Sequence, residues 1–296
     1  MFILVTGATS LVGTDFIEKV CQKKENWSLR CFVRETSDIS ELRGKKMELF
    51  YGDLTDSNSI GRALKDIDLI IHIAGIMYIP YILDALRKNK VRSGIFINTT
   101  GVFSLFKSAA KNYLAYEDQM NKFFEETNFN FVILRPTMIY GNYKDHNLHK
   151  LLPYINSHKY FPLFGSGLSL IQPVYYKDVS NALITLVENK QCWGKAYNVS
   201  GKEPMTYKRF IEIIAEALGK KVTLLHLPLE PIAFGISILE KIIPSFPIKS
   251  EQILRTTEDR AFDYTDARKC FGYNPISFEE GIKLEIEELK RDGYLM

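Results

Sequence analysis

The stretch MFILVTGATSLVG at residues 1–13 constrains this chain more than any other. Phe2 to Val5 is an apolar, β-favouring run, Thr6-Gly7-Ala8 turns the backbone, and from Leu11 apolar residues recur at helical spacing through Phe16, Ile17 and Val20. Strand, glycine turn and helix in that order leave backbone N–H groups at a helix N-terminus, where the helix dipole favours a negative group. Gly7 lets a pyrophosphate approach the main chain closely. The expected ligand is a dinucleotide held by Gly7, Thr9, Ser10, Leu11, Val12 and Gly13. Ser10 stands where a GxxGxxG pattern has its middle glycine, and the same letters also describe an ordinary strand-to-helix turn. The motif therefore needs support from the rest of the chain.

That support comes from alternation. Strands are expected at 29–33, 47–51, 68–73, 94–98 and 131–134, separated by helices over 57–65, 81–90 and through Tyr113 and Tyr116 to about 127. This pattern predicts an α/β fold with a Rossmann-type doubly wound parallel sheet, whose ligands lie at the carboxyl ends of the strands. At the end of the second strand Arg34 can meet a 2′-phosphate through its guanidinium fork, which tilts the cofactor to NADP; Glu35 could take a ribose hydroxyl instead, and NAD remains the alternative. Asp53, beside Leu54, is a candidate acceptor for the adenine amino group, although Asp56 or Ser57 is better placed to cap the following helix. Ile73, Ala74 and Gly75 end the fourth strand with small residues that leave room for the cofactor, and Pro136 and Thr137 end the sixth.

After Thr137 prolines and glycines interrupt the pattern. The sheet is expected to be rejoined by 172–175 and by 196–199, with helices at 148–157, 178–188, 206–218 and 278–290. Residues 1–140 with 172–199 then form the dinucleotide-binding domain, and 141–171 with 200–296 a smaller C-terminal substrate lobe. The apolar segment PIAFGISILEKIIP at 231–244 reads as a lobe helix covering the substrate cleft, with a membrane-surface or partner contact as the alternative.

Composition excludes several functions. The net charge of +3 is small, with Lys and Arg scattered among acids, which leaves no electrostatic footprint for nucleic acid. No apolar run reaches transmembrane length, and the chain opens directly on its first strand, so a cytoplasmic protein is expected. Cys21, Cys31, Cys192 and Cys270 form no CxxC pair and read as reduced structural thiols. HxxH at 146–149 reads as helix capping and solvent exposure rather than metal ligation, so no metal is expected.

TGATSLVG, Asp53, HIAG at 72–75, FINTTGVF at 96–103 and LRPTMIYG at 134–141 occur together in this order. With KDV at 177–179, AYNVSG at 196–201 and DYTDARKCFGYNP at 263–275, they resemble the short-chain dehydrogenase/reductase superfamily, in its extended or atypical NAD-dependent epimerase/dehydratase branch. The resemblance covers essentially the whole chain. It implies NAD(P)-dependent oxidoreductase or epimerase/dehydratase chemistry on a small molecule, a nucleotide-linked sugar or similar polar carbonyl or alcohol. It also places Gly165 to Gly167 and Gln172 beside the substrate, and it implies a homodimer through the helices before strands five and six. The family's catalytic hydroxyl falls on Thr99 and its tyrosine on Tyr113, but the lysine expected four residues on is Glu117. A second register, Tyr116 with Met120, lacks the lysine too, and Tyr140-x-x-x-Lys144 lies in the wrong loop. A lysine would lower the phenol's pKa; an ionised glutamate beside it would raise it. Tyr113 is thereby suited to donating a proton, in carbonyl reduction, more than to removing one. Members lacking the lysine include reductases and proteins that bind cofactor without turnover, so a silent NADP(H)-binding redox sensor or assembly subunit stands as the alternative function.

Overall fold

A computed structural model describes residues 1–23, 27–145, 148–242 and 254–295. The chain runs β1 (Phe2–Thr6), α1 (Leu11–Gln22), β2 (Ser28–Val33), β3 (Glu48–Tyr51), α2 (Ser57–Ala63), β4 (Leu69–His72), α3 (Ile79–Arg87), β5 (Ser93–Ile97), α4 (Lys107–Thr127) and β6 (Asn130–Pro136). It continues through β7 (Ile139–Tyr140), α5 (Leu148–Ser157), β8 (Tyr160–Phe164), β9 (Leu170–Ile171), β10 (Val174–Tyr175), α6 (Tyr176–Glu188) and β11 (Lys195–Val199). Then follow β12 (Met205–Thr206), α7 (Tyr207–Ala217), β13 (Thr223–Leu227), α8 (Leu229–Ile242), α9 (Thr265–Phe271) and α10 (Phe278–Arg291).

Seven of the described strands form one parallel sheet in the order β3-β2-β1-β4-β5-β6-β11. Side chains alternate across each strand, so Ile3, Val5, Ile71 and Ile95 enter one core and Leu4, Ile70 and Phe96 the other. Burial on both faces explains the continuous apolar runs in the sequence. Helices α1 and α6 cover the first face, and α2, α3 and α4 the second. Strand order reverses between β1 and β4, which opens a crevice at their carboxyl ends.

Two expectations are corrected. Val174–Tyr175 does not rejoin the main sheet: β10 pairs with β7 in a separate two-stranded sheet, and β11 alone of the later strands extends the large one. Its dipeptide length suits a local ladder, which apolar content cannot distinguish from a sheet edge. The cysteines are not all reduced. Cys192 and Cys270 are joined in a disulfide with Cα atoms 5.7 Å apart, because α9 packs back onto β11 and the preceding turn. Cys21 and Cys31 are free, and burial pushes the Cys31 thiol up to about 12.

Beyond β6, β8 pairs in parallel with β13 and β9 antiparallel with β12, each in a separate two-stranded sheet. Among the described residues, no helix is long and apolar enough to cross a membrane.

Candidate functional site

A cleft of about 980 Å³ opens at the carboxyl ends of the strands, at the upper end of the usual size for a small-molecule site. At its cofactor end, Thr9, Ser10, Leu11 and Val12 line the wall as the turn enters α1. Ser10, the residue replacing a glycine, caps the helix: its hydroxyl accepts from the Gly13 N–H at 3.1 Å and donates to the Gly7 carbonyl at 2.7 Å. Gly7 and Gly13 act from behind. Gly7 has φ +74°, and a Cβ there would lie 2.6 Å from the Ala74 nitrogen; a Cβ on Gly13 would run into the Gly7 carbonyl oxygen. Both glycines thus allow strand, turn and helix to close on one another, leaving the helix N-terminus facing the cleft. These residues fit a dinucleotide pyrophosphate.

Farther along, Arg34, Thr36, Ser37 and Asp38 form the wall, while Glu35 is not part of it. Asp53 and Leu54 also lie outside the lining. The Asp53 carboxylate accepts from the Thr55 N–H at 2.8 Å and is held below the usual carboxylate range by that bond, with a smaller contribution from Arg34. Leu54 is buried in the core, and Asp56 caps α2. Of the small-residue stretch, Ile73 lines the cleft, whereas Ala74 and Gly75 do not. His72 is fully buried, its Nδ1 2.6 Å from the Thr6 hydroxyl, and burial takes its pKa down to about 4. It is a neutral packing residue.

At the other end Ile97, Asn98, Thr99, Tyr113, Pro136 and Thr137 converge. The Thr99 hydroxyl accepts from the Gly101 N–H at 3.1 Å and opens a short helical turn. A Cβ on Gly101 would lie 3.0 Å from the Tyr113 ring and 3.2 Å from the Thr99 methyl, so this glycine leaves room for both side chains beside it. Tyr113 faces the cleft, while Met120 of the other register is fully buried in the core.

Glu117 is absent from the cleft wall. It is buried and ion-paired through both carboxylate oxygens with Arg135, and it accepts a further bond from the Asn98 amide. Its charge is therefore engaged by a guanidinium on β6, and the premise of a free carboxylate acting on the Tyr113 phenol does not hold. The Arg135 guanidinium also lies 5.2 Å from the centre of the Phe103 ring.

Several lining residues escaped the sequence reading. Arg255, Glu258, Arg260 and Phe262 border the cleft from the lobe, and Ile171 bridges to Arg260. Lys144, set aside with the Tyr140 motif, lines the cleft as well; it donates to the Thr9 carbonyl at 3.2 Å and pairs with Glu41 at 2.6 Å. Tyr140 itself is fully buried, and burial with the nearby Glu285 raises its pKa well above the ordinary phenol value. Gln172 reaches the cleft and ties the lobe together, donating to the Gly201 carbonyl at 2.7 Å and accepting from the Phe262 N–H at 2.8 Å. Gly165 to Gly167 do not line it. Nor does any described residue of α8, whose Phe234, Ile238 and Leu239 face solvent; residues 243 and 244 of that apolar segment lie outside the described residues. His146 and Asn147 also lie outside them, and among the described residues no group of three His, Cys, Asp or Glu gathers to hold a metal.

A parallel sheet with a glycine turn at its switch point and one cleft along its carboxyl edge defines a dinucleotide-binding α/β protein. Residues 7–151 match the family described as NAD(P)H-binding, and residues 92–229 match the 3-beta hydroxysteroid dehydrogenase/isomerase family. The two stretches overlap and together run from residue 7 to residue 229, and over them the chain is similar to the NAD(P)-binding extended short-chain dehydrogenase/reductase family. It is similar, at 20% identity over 95% of this chain and 92% of the relative, to an N-acetyl-alpha-D-glucosaminyl-diphospho-ditrans,octacis-undecaprenol 4-epimerase of Escherichia coli O157:H7. The fold is shared with the crystal structure of gox2253 (TM-score 0.84, 19% identity, 100% of this chain and 99% of that one). It is also shared with a UDP-glucuronic acid 4-epimerase of Bacillus cereus in complex with UDP-glucuronic acid and NAD (TM-score 0.77, 19% identity, 98% and 99%).

Proposed function

We propose that this chain binds NADP(H) and carries out reductase or epimerase-type redox chemistry on a carbonyl or alcohol of a sugar linked to a nucleotide or a similar diphosphate. Residues 1–140 with 172–199 hold the dinucleotide, and 141–171 with 200–296 form the substrate lobe. The carrying observation is that the helix N-terminus at Thr9 to Val12 and the residues Thr99 and Tyr113 stand in the wall of one continuous cleft. The helix N-terminus at Leu11 and Val12 receives the pyrophosphate, and Arg34 with Thr36 and Ser37 offers donors to a 2′-phosphate. Asp38 stands in the same wall, its carboxylate accepting from the Ser40 N–H at 2.9 Å, and Asp53 lies close enough to Arg34 to feel its charge. A nicotinamide dinucleotide held there would supply hydride to a carbonyl or take it from an alcohol. Tyr113 hydrogen-bonds the reacting oxygen, passing it a proton in reduction and, once deprotonated, taking the hydroxyl proton back in oxidation, and Thr99 orients that oxygen. Arg255 and Arg260 bring two positive charges to the lobe side, which suits a diphosphate. The relatives named for diphospho-undecaprenol-linked and UDP-linked sugars support that substrate class.

One observation favours a silent binder as the second reading. The cation nearest the family's lysine position, Arg135, is occupied by Glu117 and Asn98 bonds Glu117 as well, leaving Tyr113 without a dedicated activating charge. Calorimetric titration of cofactor-stripped protein with NADPH, NADP, NADH and NAD, repeated on Arg34→Ala, tests the reading. Preferential, Arg34-dependent binding of the 2′-phosphorylated pair is expected; binding of none of the four removes its basis.

A further inference from the structure

The lobe edge of the cleft is one chain segment, from Leu254 to Phe262, and it carries two kinds of surface side by side. Toward the cleft it presents Arg255 and Arg260. The Arg260 Nε is buried and has no hydrogen-bond partner among the described residues. Both acids of the segment are occupied by other groups: Glu258 accepts from the Ser104 hydroxyl at 2.9 Å and the Leu105 N–H at 2.6 Å, and Asp259 accepts from the Leu170 N–H at 2.7 Å. Glu258 stands in the same wall and attracts Arg260, but its oxygens accept from Ser104 and Leu105, and the Arg260 Nε has no partner of its own, so two guanidinium groups face one carboxylate there.

Toward solvent the same edge is apolar. Leu105 is 86% exposed, Leu168 64%, Phe103 46% and Leu254 36%. These residues come from three separate stretches, each fastened to this segment: Leu105 by its bond to Glu258, Phe103 by its ring 5.4 Å from that of Phe262, and Leu168 through its neighbour Ser169, which donates to the Thr256 carbonyl at 2.6 Å. Single exposed apolar side chains are ordinary, but several that converge beside one charged cleft make a surface that gains by being covered.

We infer that the substrate is amphiphilic: a sugar joined through a diphosphate to a long isoprenoid chain, with the diphosphate between Arg255 and Arg260 and the hydrocarbon across Leu105, Leu168 and their neighbours. This deepens the proposed function and rests on it. A diphosphate esterified directly to a long hydrocarbon matches both halves of the edge, cations for the anion and apolar surface for the chain.

The test is calorimetric titration of the NADPH-loaded protein with isopentenyl, geranyl and farnesyl diphosphate, and with UDP-N-acetylglucosamine. Affinity is expected to rise about tenfold or more from the shortest chain to the longest, as hydrocarbon leaves water. Leu105→Ser with Leu168→Ser should flatten that series, whereas Leu114→Ser, an exposed leucine on α4, should leave it intact. A flat series in the parent protein, an unchanged slope in the double variant, or tighter binding of the UDP-sugar than of farnesyl diphosphate would overturn the inference. NADPH is titrated into each variant first: unchanged binding shows the fold intact, and failure of NADPH to bind the parent would instead overturn the underlying reading.

Discussion

The two ends of the cleft are built on different physical principles. At the cofactor end, shape comes from the backbone: two glycines permit close packing, and a serine caps the helix that faces the ligand. At the other end, shape comes from side chains far apart in sequence: Thr99, Tyr113 and Asn98 line the wall, and Asn98 leads outward to the Glu117–Arg135 pair. Steric exclusion is local and insensitive to pH. A buried charge pair depends on both partners, and removing one leaves the other unpaired.

Arg135→Met should therefore have the largest effect, lowering the unfolding free energy in urea by about 4 kcal/mol because Glu117 is left as a buried unpaired charge. Glu117→Gln should cost less, about 1–2 kcal/mol, since Arg135 is the more exposed partner. Equal and small losses for both would mean that the pair does not organise this end.

The contrast extends to buried titratable groups. Behind the cofactor end His72 stays neutral down to about pH 4, although it ordinarily protonates near 6.5. The unfolded chain binds the extra proton in that window, so stability falls as pH drops from about 6.5 to 4. Glu285 on α10 is fully buried, and neither of its carboxylate oxygens has a hydrogen-bond partner among the described residues. Burial, then the nearby Asp145, raises its pKa from 4.5 to about 9. Here the folded chain keeps the proton, so stability is complete below about pH 4.5 and is lost as pH rises toward 9. Glu285→Gln should raise the unfolding free energy at pH 8 by on the order of 3 kcal/mol, change it little at pH 4.5, and leave the acid-side loss from His72 in place. Parallel stability–pH curves for variant and parent would contradict that assignment.

Gly13→Ala should cost about 2 kcal/mol, as its methyl meets the Gly7 carbonyl oxygen, and should weaken dinucleotide binding with it. Normal stability and binding would show that the turn closes less tightly than described. Arg34→Ala should have the smallest effect, none on stability and about a tenfold fall in the preference for NADPH over NADH, or 1.4 kcal/mol. An unchanged ratio would move 2′-phosphate recognition to Thr36 and Ser37, or remove it.

Legibility followed the same division. Ser10, Leu11 and Val12 stood in the cleft wall as read from the first thirteen residues, and strands, crossover helices and β11 followed from alternation. Thr99 and Tyr113, carried over from the resemblance, both line the cleft beside Gly101. Arg135 was not seen as Glu117's partner, since residues 18 apart on a helix and a strand carry no periodic signal of contact. Arg255 and Arg260 were missed for a related reason: one opens a three-residue helical turn and the other forms an isolated bridge, both too short to carry a periodic signal.

By itself, then, the sequence determined what local rules govern: an alternating α/β chain, its parallel sheet, and a glycine turn made for a dinucleotide. Backbone sterics and side-chain periodicity act over a few residues, and they are written directly in the order of the letters. Only the tertiary structure decided which charges meet. It joined Cys192 to Cys270 across 78 residues, paired Glu117 with Arg135, and set two arginines beside an apolar rim. Those outcomes depend on how whole elements pack, because electrostatic and covalent partners are chosen by distance in space.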